Sequence, residues 1–181
     1  MILGLSGYAR SGKDTIADYL VEKHGFVRMA FADPMREALE RLDPWIDFAG
    51  LRIPLSEALR ITDWNGLKEE SVEIRPLLQR MGTEVGREMF GENVWVDYVV
   101  SKAHQHERVV VSDVRFENEA RAIHRNFGSV WRIDRPGVEA ANDHVSEHDL
   151  DEFTFDLYIT NAHTKEHLYD AVDMLIGNVI G

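Results

Sequence analysis

The sequence predicts an α/β fold in which a parallel sheet of five strands lies between layers of helices. Short apolar runs alternate with amphipathic helical patterns along most of the 181 residues, and this alternation is typical of a parallel sheet with helices on both faces. The first apolar run leads directly into a glycine-rich loop that opens a helix. A chain of this length predicts one domain.

Five short apolar runs are the predicted strands. Parallel strands that are buried on both faces are continuously apolar, and Val109–Asp113 fits that description best. The other predicted strands are Ile2–Ser6, Phe26–Phe31, Ser129–Asp134 and Leu157–Ile159.

The predicted helices carry apolar residues three or four positions apart, so that one face of each can pack on the sheet. Helices are expected over 14–23, 35–42 and 115–125. The residues expected to face the core are, in chain order, Ile16, Ala17, Leu20 and Val21; Ile74, Leu78, Met81, Val85 and Met89; Phe116, Ala120, Ile123 and Phe127; and Leu168, Val172, Leu175, Ile176 and Val179.

Two stretches interrupt the alternation. Residues of about 44–105 predict a largely helical insertion, and residues of about 135–150 are rich in Asp, Glu, His and Asn. The second stretch predicts a surface flap, although a long solvated loop would have the same composition. The core would comprise residues 1–43 and 106–181. Turn signals in and beside the insertion lie at Asp43–Pro44, Ala49–Gly50 and Asn65–Gly66.

Composition excludes several classes of protein. The net charge is −12 and the pI is about 5.0, which argues against binding to nucleic acid or to a membrane surface. There is no cysteine, so disulfides and thiolate chemistry are excluded. We find neither an apolar run of about 20 residues nor a signal peptide, and we expect an intracellular protein. The negative net charge is compatible with a local phosphate site, because salt screens carboxylates that lie more than about 8 Å away.

The segment Gly7–Thr15 predicts a phosphate-binding loop. Gly7 and Gly12 are five positions apart and Lys13 follows them, between a predicted strand and a predicted helix. The glycines allow successive backbone N–H groups to turn towards an anion, and the helix N-terminus adds positive potential at the same place. Lys13 supplies a cation where the β- and γ-phosphates would lie.

Two carboxylates are candidate Mg²⁺ ligands. Asp14 follows the lysine, where a Ser or Thr is usual. A carboxylate there can hold Mg²⁺ directly or through water, or it can simply stabilise the start of the helix. Asp113 ends an interior strand and can hold a Mg²⁺-bound water, or it can cap the helix that follows.

Other polar residues are candidate ligands for a substrate. Arg75 and Gln79 share a helix face with Gly82 and Gly86, which indicates close approach by a ligand or by another helix. Arg115 is expected at the carboxyl edge of the sheet, where ligands bind in such folds, or in a surface salt bridge. Arg132 and Arg135 in or near the flap could stabilise a transferred phosphoryl group. Asn161 could pack on a base, or its loop could be a turn before a helix capped by Thr164.

Several segments together carry a family resemblance over essentially the whole chain. They are Ser11–Thr15, Phe31–Arg36, Arg75–Gln79, Asp113–Ala120 and the motif His144-x-Ser146-Glu147. In this order they resemble the P-loop nucleoside monophosphate kinase superfamily, and within it the phage-type deoxynucleoside monophosphate kinases. The resemblance implies a three-layer P-loop kinase fold with an ATP-binding core, a helical insertion that binds the nucleoside monophosphate, and a short lid.

The resemblance also implies roles for individual residues. Lys13, Arg132 and Arg135 would be catalytic, and Asp14 would hold Mg²⁺. Asp113 joins both the catalytic and the Mg²⁺ set because of its position at the end of an interior strand. The ATP-binding set would be Gly7, Arg10, Ser11, Gly12, Lys13, Asp14, Thr15 and Asn161. The acceptor-binding set would be Asp33, Arg36, Arg75, Gln79, Arg115 and Glu147.

The expected reaction is direct transfer of the γ-phosphoryl group of ATP to a deoxynucleoside monophosphate, assisted by Mg²⁺. The resemblance implies a cytoplasmic location, in the host if the protein is phage-encoded, and allows a homodimer. Asp-Thr after the lysine also occurs in phosphomevalonate kinases, which keeps a kinase of that type or of the dephospho-CoA type as an alternative. A nucleotide-binding sensor without catalysis is a further alternative.

Overall fold

The computed structural model describes residues 1–139 and 148–180. They form two compact units, one of residues 1–30 with 99–181 and the other of residues 31–98. Within the described part of the chain, none of the helices has the length and apolar character needed to span a bilayer.

The second unit is a continuous stretch of the chain inserted between the two parts of the first. In chain order the elements are β1 (Ile2–Ser6), α1 (Lys13–His24), β2 (Val27–Met29), α2 (Asp33–Leu42), β3 (Trp45–Phe48), β4 (Leu51–Pro54), α3 (Leu55–Ile61), α4 (Trp64–Glu70), α5 (Ile74–Arg80), a π-helical segment (Met81–Arg87), α6 (Glu88–Phe90), α7 (Val94–Ala103), β5 (Val109–Val111), α8 (Glu117–Arg125), β6 (Ser129–Asp134), β7 (Leu157–Thr160) and α9 (Lys165–Ile180).

The first unit contains the predicted parallel sheet, with strand order β2-β5-β1-β6-β7. Every pairing in it is parallel. The central strand β1 pairs with β5 on one side and with β6 on the other, and Gly4 lies opposite both Val111 and Val130. The five-stranded α/β fold class is confirmed. The carboxyl end of β1 therefore lies between those of two neighbours, which is where open α/β sheets bind ligands.

The core of this unit is formed by both faces of the sheet and the helices that cover them. Ile16, Leu20, Leu168 and Val172 are buried against strand residues such as Trp131. The apolar stripes of α1 and α9 are thus confirmed for most of their described positions. The prediction of a core position is wrong for two residues, because Val21 is 39% exposed and Phe127 is 99% exposed. Helix α8 ends at Arg125, and Phe127 adopts a left-handed conformation with φ of +56°.

A charged cluster joins the last turns of α1 to α9. Asp173 Oδ2 accepts a hydrogen bond from Lys23 Nζ at 2.6 Å. Its Oδ1 accepts one from Tyr19 Oη at 3.0 Å and lies 2.9 Å from His24 Nε2. The rings of Tyr19 and Tyr169 stack at 3.8 Å between centroids. The Lys23 ammonium lowers the pKa of Asp173 to about 2, and the hydrogen bonds from His24 and Tyr19 add to this effect.

We expect Asp173→Asn to lower the free energy of unfolding at pH 7. A carboxylate whose pKa is lower in the folded state than in the unfolded state stabilises the fold fully at pH values above its ordinary pKa of 3.8. It loses that contribution as the pH falls towards the folded-state pKa of about 2. The difference between wild type and variant should therefore shrink between about pH 4 and pH 2, which urea unfolding across that range would measure. Asp170→Asn, an exposed change on the same helix, is the control. A difference that stays constant with pH would contradict the prediction.

The second unit begins its insertion with a β-hairpin that the helical prediction missed. Strands β3 and β4 pair antiparallel, with Trp45 opposite Pro54 and Phe48 opposite Leu51. The turn between them has positive φ at both Ala49 and Gly50, which is the geometry of a tight two-residue hairpin turn. The turn signal was visible in the sequence, but the strands beside it are too short and too irregular to show an alternating pattern.

The helical run from α5 to α6 also differs from its predicted packing. Ile74 is buried as expected, but Val85 is exposed and Met89 is 69% exposed. Instead Gly82 and Gly86 are buried, in agreement with the packing alternative for their shared face. The π-helical segment adds residues to each turn and so rotates the later side chains away from the expected stripe.

The two glycines of this segment accommodate neighbouring side chains of the same unit. A Cβ atom at Gly82 would lie 2.8 Å from Met35 Sδ, and one at Gly86 would overlap the Trp95 indole. The indole nitrogen of Trp95 donates to the carbonyl of Gly82 at 2.9 Å. Close side-chain packing therefore accounts for both glycines within this unit.

Candidate active site

The loop between β1 and α1 folds back on itself in a way that requires glycine at two positions. Gly7 has φ of +139° and Gly12 has φ of +112°, and Arg10 between them is also left-handed at +67°. A Cβ atom at Gly7 would overlap the carbonyl oxygen of Ile133 on the neighbouring strand β6. One at Gly12 would lie 2.6 Å from the side-chain amide of Asn161. The loop is thus packed against β6 and the segment after β7.

Lys13 places its ammonium group inside this loop. Its Nζ donates to the carbonyl oxygens of Gly7 at 2.7 Å and Tyr8 at 2.8 Å, and the residue is buried. Lys13 is also the first residue of α1, where the helix dipole contributes positive potential. The lysine charge, the helix N-terminus and the turned backbone therefore coincide, and such a combination is suited to an anion.

Asn161 is held against the loop. It follows β7, and its side-chain amide donates to the carbonyl oxygen of Ser11 at 2.9 Å. The Oγ atom of Ser11 itself is buried without a hydrogen-bond partner. Three residues further on, the Thr164 hydroxyl accepts the N–H of His167 at 3.4 Å at the start of α9. The capping interpretation of this turn is therefore supported, and the same turn also brings Asn161 to the phosphate loop.

The two candidate lid arginines have different surroundings. The guanidinium of Arg132 lies 4.7 Å from the centroid of the Tyr8 ring and 5.6 Å from that of Phe155. Its Nε donates to Asp134 at 2.9 Å, and its side chain is 12% exposed. Arg135 is exposed and donates to the carbonyl oxygen of Arg10 at 3.4 Å. Arg132 is therefore packed against the phosphate loop, and Arg135 reaches its outer side.

A cavity beside the phosphate loop is lined by two arginines. Arg115 is exposed, and its backbone N–H donates to Glu119 Oε2 at 2.8 Å. Tyr8, whose hydroxyl donates to Asp151 at 3.3 Å, also lines this cavity. The paired cationic groups suit an anionic group of a ligand. The lining residues are Ser6, Gly7, Tyr8, Val114, Arg115, Arg132 and Leu150.

The two candidate metal ligands lie in the first turn of α1 and just after β5. Asp14 is in the first turn of α1 and its side chain is 77% exposed. Asp113 is half-buried and follows β5, which pairs directly with β1. The capping alternative for Asp113 is wrong, because helix α8 begins after Phe116. The buried Glu119 carboxylate instead accepts the N–H groups of Arg115 and Phe116 at 2.8 and 3.0 Å.

Arg28 is a functional candidate that the sequence reasoning missed. It lies on the edge strand β2, and its guanidinium pairs with both Asp14 and Asp18 of α1. Its Nε donates to Ser112 Oγ at 3.2 Å. The sequence did contain a signal for it, namely a single charged residue inside a strand that is otherwise apolar.

The remaining acceptor candidates belong to the second unit. Asp33 begins α2 and accepts a hydrogen bond from Arg36 NH1 at 3.1 Å, while the Nε atom of Arg36 is buried without a partner. Arg75 and Gln79 lie one helical turn apart on α5, and both are exposed. Their contact with a ligand stays a prediction. Glu147 lies outside the described residues, as do His144 and Ser146 of the same motif.

The strand order, the helices on both faces and the lysine-bearing loop at the end of the central strand define a P-loop kinase. Proteins of this class are phosphotransferases that use a nucleotide co-substrate. The chain belongs to the deoxynucleotide monophosphate kinase family, because the model of that family matches residues 50–172.

Named relatives agree with this assignment over nearly the full length of the chain. A protein of Acanthamoeba polyphaga mimivirus, whose name refers to the same kinase, is 30% identical over 98% of this chain and 97% of its own. The deoxynucleotide monophosphate kinase of Enterobacteria phage T4 is 23% identical over 94% of this chain and 96% of its own.

A solved structure of another protein has a similar fold. The dephospho-CoA kinase from Campylobacter jejuni superposes with a TM-score of 0.52 at 12% sequence identity, and covers 98% of this chain and 96% of its own. At this identity the likeness concerns the fold alone.

Proposed function

We propose that the protein transfers the γ-phosphoryl group of ATP to the phosphate of a deoxynucleoside monophosphate. The observation that carries this proposal is the position of the Lys13 ammonium, within 2.8 Å of the carbonyls of Gly7 and Tyr8, at the N-terminus of α1. Family membership supports the deoxynucleoside monophosphate as acceptor. A triphosphate tail at this loop would take the place of the two carbonyls as the partner of Lys13.

The carboxylates at the edge of the sheet fit Mg²⁺. Asp14 and Asp113 supply hard oxygen donors beside the phosphate loop, and Mg²⁺ in kinases is held by one or two carboxylates, waters and substrate phosphates. When bound, the ion would neutralise charge on the β- and γ-phosphates. Thr15 is half-buried in the same helical turn and can contribute a hydroxyl oxygen.

Catalysis in this proposal is positioning and charge neutralisation without a covalent intermediate. The backbone N–H groups of the loop hold the phosphates, with Asn161 supporting the loop through Ser11. Lys13 stabilises the negative charge that develops on the phosphoryl group during transfer, and Arg132 and Arg135 stabilise the same charge from the β6 side. The proposed ATP-binding residues are Gly7, Arg10, Ser11, Gly12, Lys13, Asp14, Thr15 and Asn161.

Acceptor binding is assigned to arginines and to polar groups that can contact a base. A guanidinium forks onto a phosphate with two parallel hydrogen bonds, and carboxylates and amides pair with base edges. The exposed Asp33, its half-buried partner Arg36, and the exposed face of Arg75 and Gln79 supply these groups in the second unit. Arg115 and Glu147 complete the proposed set.

The direct test is ADP release from ATP and Mg²⁺ in a coupled assay with each of the four deoxynucleoside monophosphates. We expect acceptor-dependent turnover with at least one of them. Turnover with dephospho-CoA or phosphomevalonate instead would reassign the acceptor. Tight ATP binding with no acceptor-dependent turnover would identify a sensor. The assay without acceptor measures background hydrolysis and is the control.

We expect Arg75→Ala to raise KM for the acceptor at least tenfold with little change in KM for ATP, because a bidentate charged contact is worth about 1.5–3 kcal/mol. Arg80→Ala is the matched control, since Arg80 is on the same helix and pairs with Glu84 at 3.3 Å. Steady-state kinetics with either substrate varied would measure both effects. An unchanged acceptor KM and kcat in Arg75→Ala would remove this residue from the acceptor site.

The cytoplasmic location and the homodimer remain predictions. Sedimentation equilibrium of the purified protein would measure its oligomeric state, and fractionation of producing cells would establish its location.

A further inference from the structure

Arg28 is the centre of a charged cluster beside the first turns of α1, the helix that the phosphate loop opens. Its NH1 group donates to Asp18 Oδ1 at 2.6 Å, and its NH2 group pairs with Asp14 Oδ1. Its Nε donates to the hydroxyl of Ser112 at 3.2 Å. The guanidinium is thus held from three sides, by two turns of α1 and by the residue that follows β5.

The charges of this cluster do not cancel. One guanidinium is shared by the carboxylates of Asp14 and Asp18, so the three groups together carry a formal charge of −1. Arg28 pairs with Oδ1 of Asp14, and the second oxygen of that carboxylate can bind a cation or a cation-bound water. The side chain of Asp14 is 77% exposed, so without Arg28 it could adopt several rotamers.

The geometry points to Arg28 as a positioning residue that holds Asp14 in the orientation for Mg²⁺. This inference rests on the proposed role of Asp14. Groups that hydrogen-bond a metal-binding carboxylate fix its direction, and their loss typically weakens metal binding ten- to a hundredfold. The cluster resembles such an arrangement, because the guanidinium fork is fixed by Asp18 and Ser112 on its far side.

Two substitutions of Arg28 separate orientation from simple electrostatics. Arg28→Lys keeps the positive charge but loses the planar fork that reaches three partners. Arg28→Met keeps much of the apolar stem and removes the charge. If Arg28 acted only through its charge, Met should tighten divalent cation binding and Lys should leave it unchanged. If Arg28 positions Asp14, both substitutions should weaken binding roughly tenfold.

Mn²⁺ binding in the presence of ADP, measured by electron paramagnetic resonance of the free ion, is the readout. We expect weaker Mn²⁺ binding in Arg28→Lys and Arg28→Met, and an increased Mg²⁺ requirement in the kinase assay. In an Asp14→Asn background, Arg28→Lys should add no further loss, as expected for residues that act through one another. Arg121→Lys, an exposed arginine paired with Glu117 on α8, is the matched control. Thermal unfolding confirms that each variant is folded.

The outcomes distinguish this inference from the function on which it rests. Normal Mn²⁺ binding in Arg28→Lys, with weakened binding in Asp14→Asn, would overturn the role of Arg28 alone. Normal binding in Asp14→Asn would overturn the metal role of Asp14 and the positioning role with it. Tighter binding in Arg28→Met would assign to Arg28 an electrostatic effect and overturn the positioning role.

Discussion

Replacing Lys13 by alanine is expected to lower kcat/KM by about 10²–10³-fold. The ammonium group is a full positive charge buried within the loop, and it contacts the carbonyls of Gly7 and Tyr8. Removing it leaves the developing charge of the transferred group without that stabilisation. The main core around Leu5, Leu20 and Trp131 does not depend on Lys13, so the variant should stay folded. Coupled assays and circular dichroism would measure the two properties.

Lys23→Ala is the matched control for this change. Lys23 lies at the other end of α1 and pairs with Asp173 at 2.6 Å, far along the helix from the phosphate loop. Its loss should reduce stability slightly and leave kcat/KM unchanged. Activity of Lys13→Ala within a few-fold of wild type would contradict the proposed role of the loop.

Replacing Gly12 by alanine is expected to weaken ATP binding and turnover by about a hundredfold, because small displacements of positioned groups have effects of this size. The backbone of Gly12 has φ of +112°, which an L-residue adopts at a cost of about 1–2 kcal/mol. The new methyl group would also lie 2.6 Å from the Asn161 amide, which holds the carbonyl of Ser11. Isothermal titration calorimetry with ATP would measure the loss of affinity.

Gly25→Ala provides the comparison on the same helix. Gly25 caps the C-terminus of α1 with φ of +67°, and no atom lies within 4 Å of its position for a Cβ. Its substitution introduces backbone strain without a clash, so stability should fall while ATP binding stays normal. Equal ATP affinity in Gly12→Ala and wild type would show that the loop does not hold the triphosphate.

Much of the first unit could be predicted from sequence because its signals are local. Strand β6 has the predicted bounds, and the buried stripes of α1 and α9 follow the spacing of their apolar residues. The predicted apolar stripe that begins at Ile74 was wrong for Val85 and Met89, which are exposed. The π-helical segment changes the helical period in a way that residue spacing does not reveal. The hairpin of Trp45–Pro54 was missed for a similar reason, since strands of four residues carry too few positions to show a period.

The candidate site shows the same division. The phosphate loop was predictable because Gly7, Gly12 and Lys13 act through their own backbone and their immediate neighbours. The stacking of Arg132 on Tyr8 was not predictable, because it depends on β6 pairing with β1. The link between Arg28 and Asp14 depends in the same way on β2 lying beside β5 rather than beside β1.

The sequence by itself determined the alternation of strands and helices, the position of the phosphate loop and the sign of its charge. These properties arise from residues within a few positions of one another, so the order of side chains is sufficient to define them. The tertiary structure alone decided which arginine contacts which carboxylate or aromatic ring, which face of α5 and the π-helical segment is buried, and where Asn161 is held. Those contacts join residues that are far apart in the chain, and strand order and helix rotation bring them together.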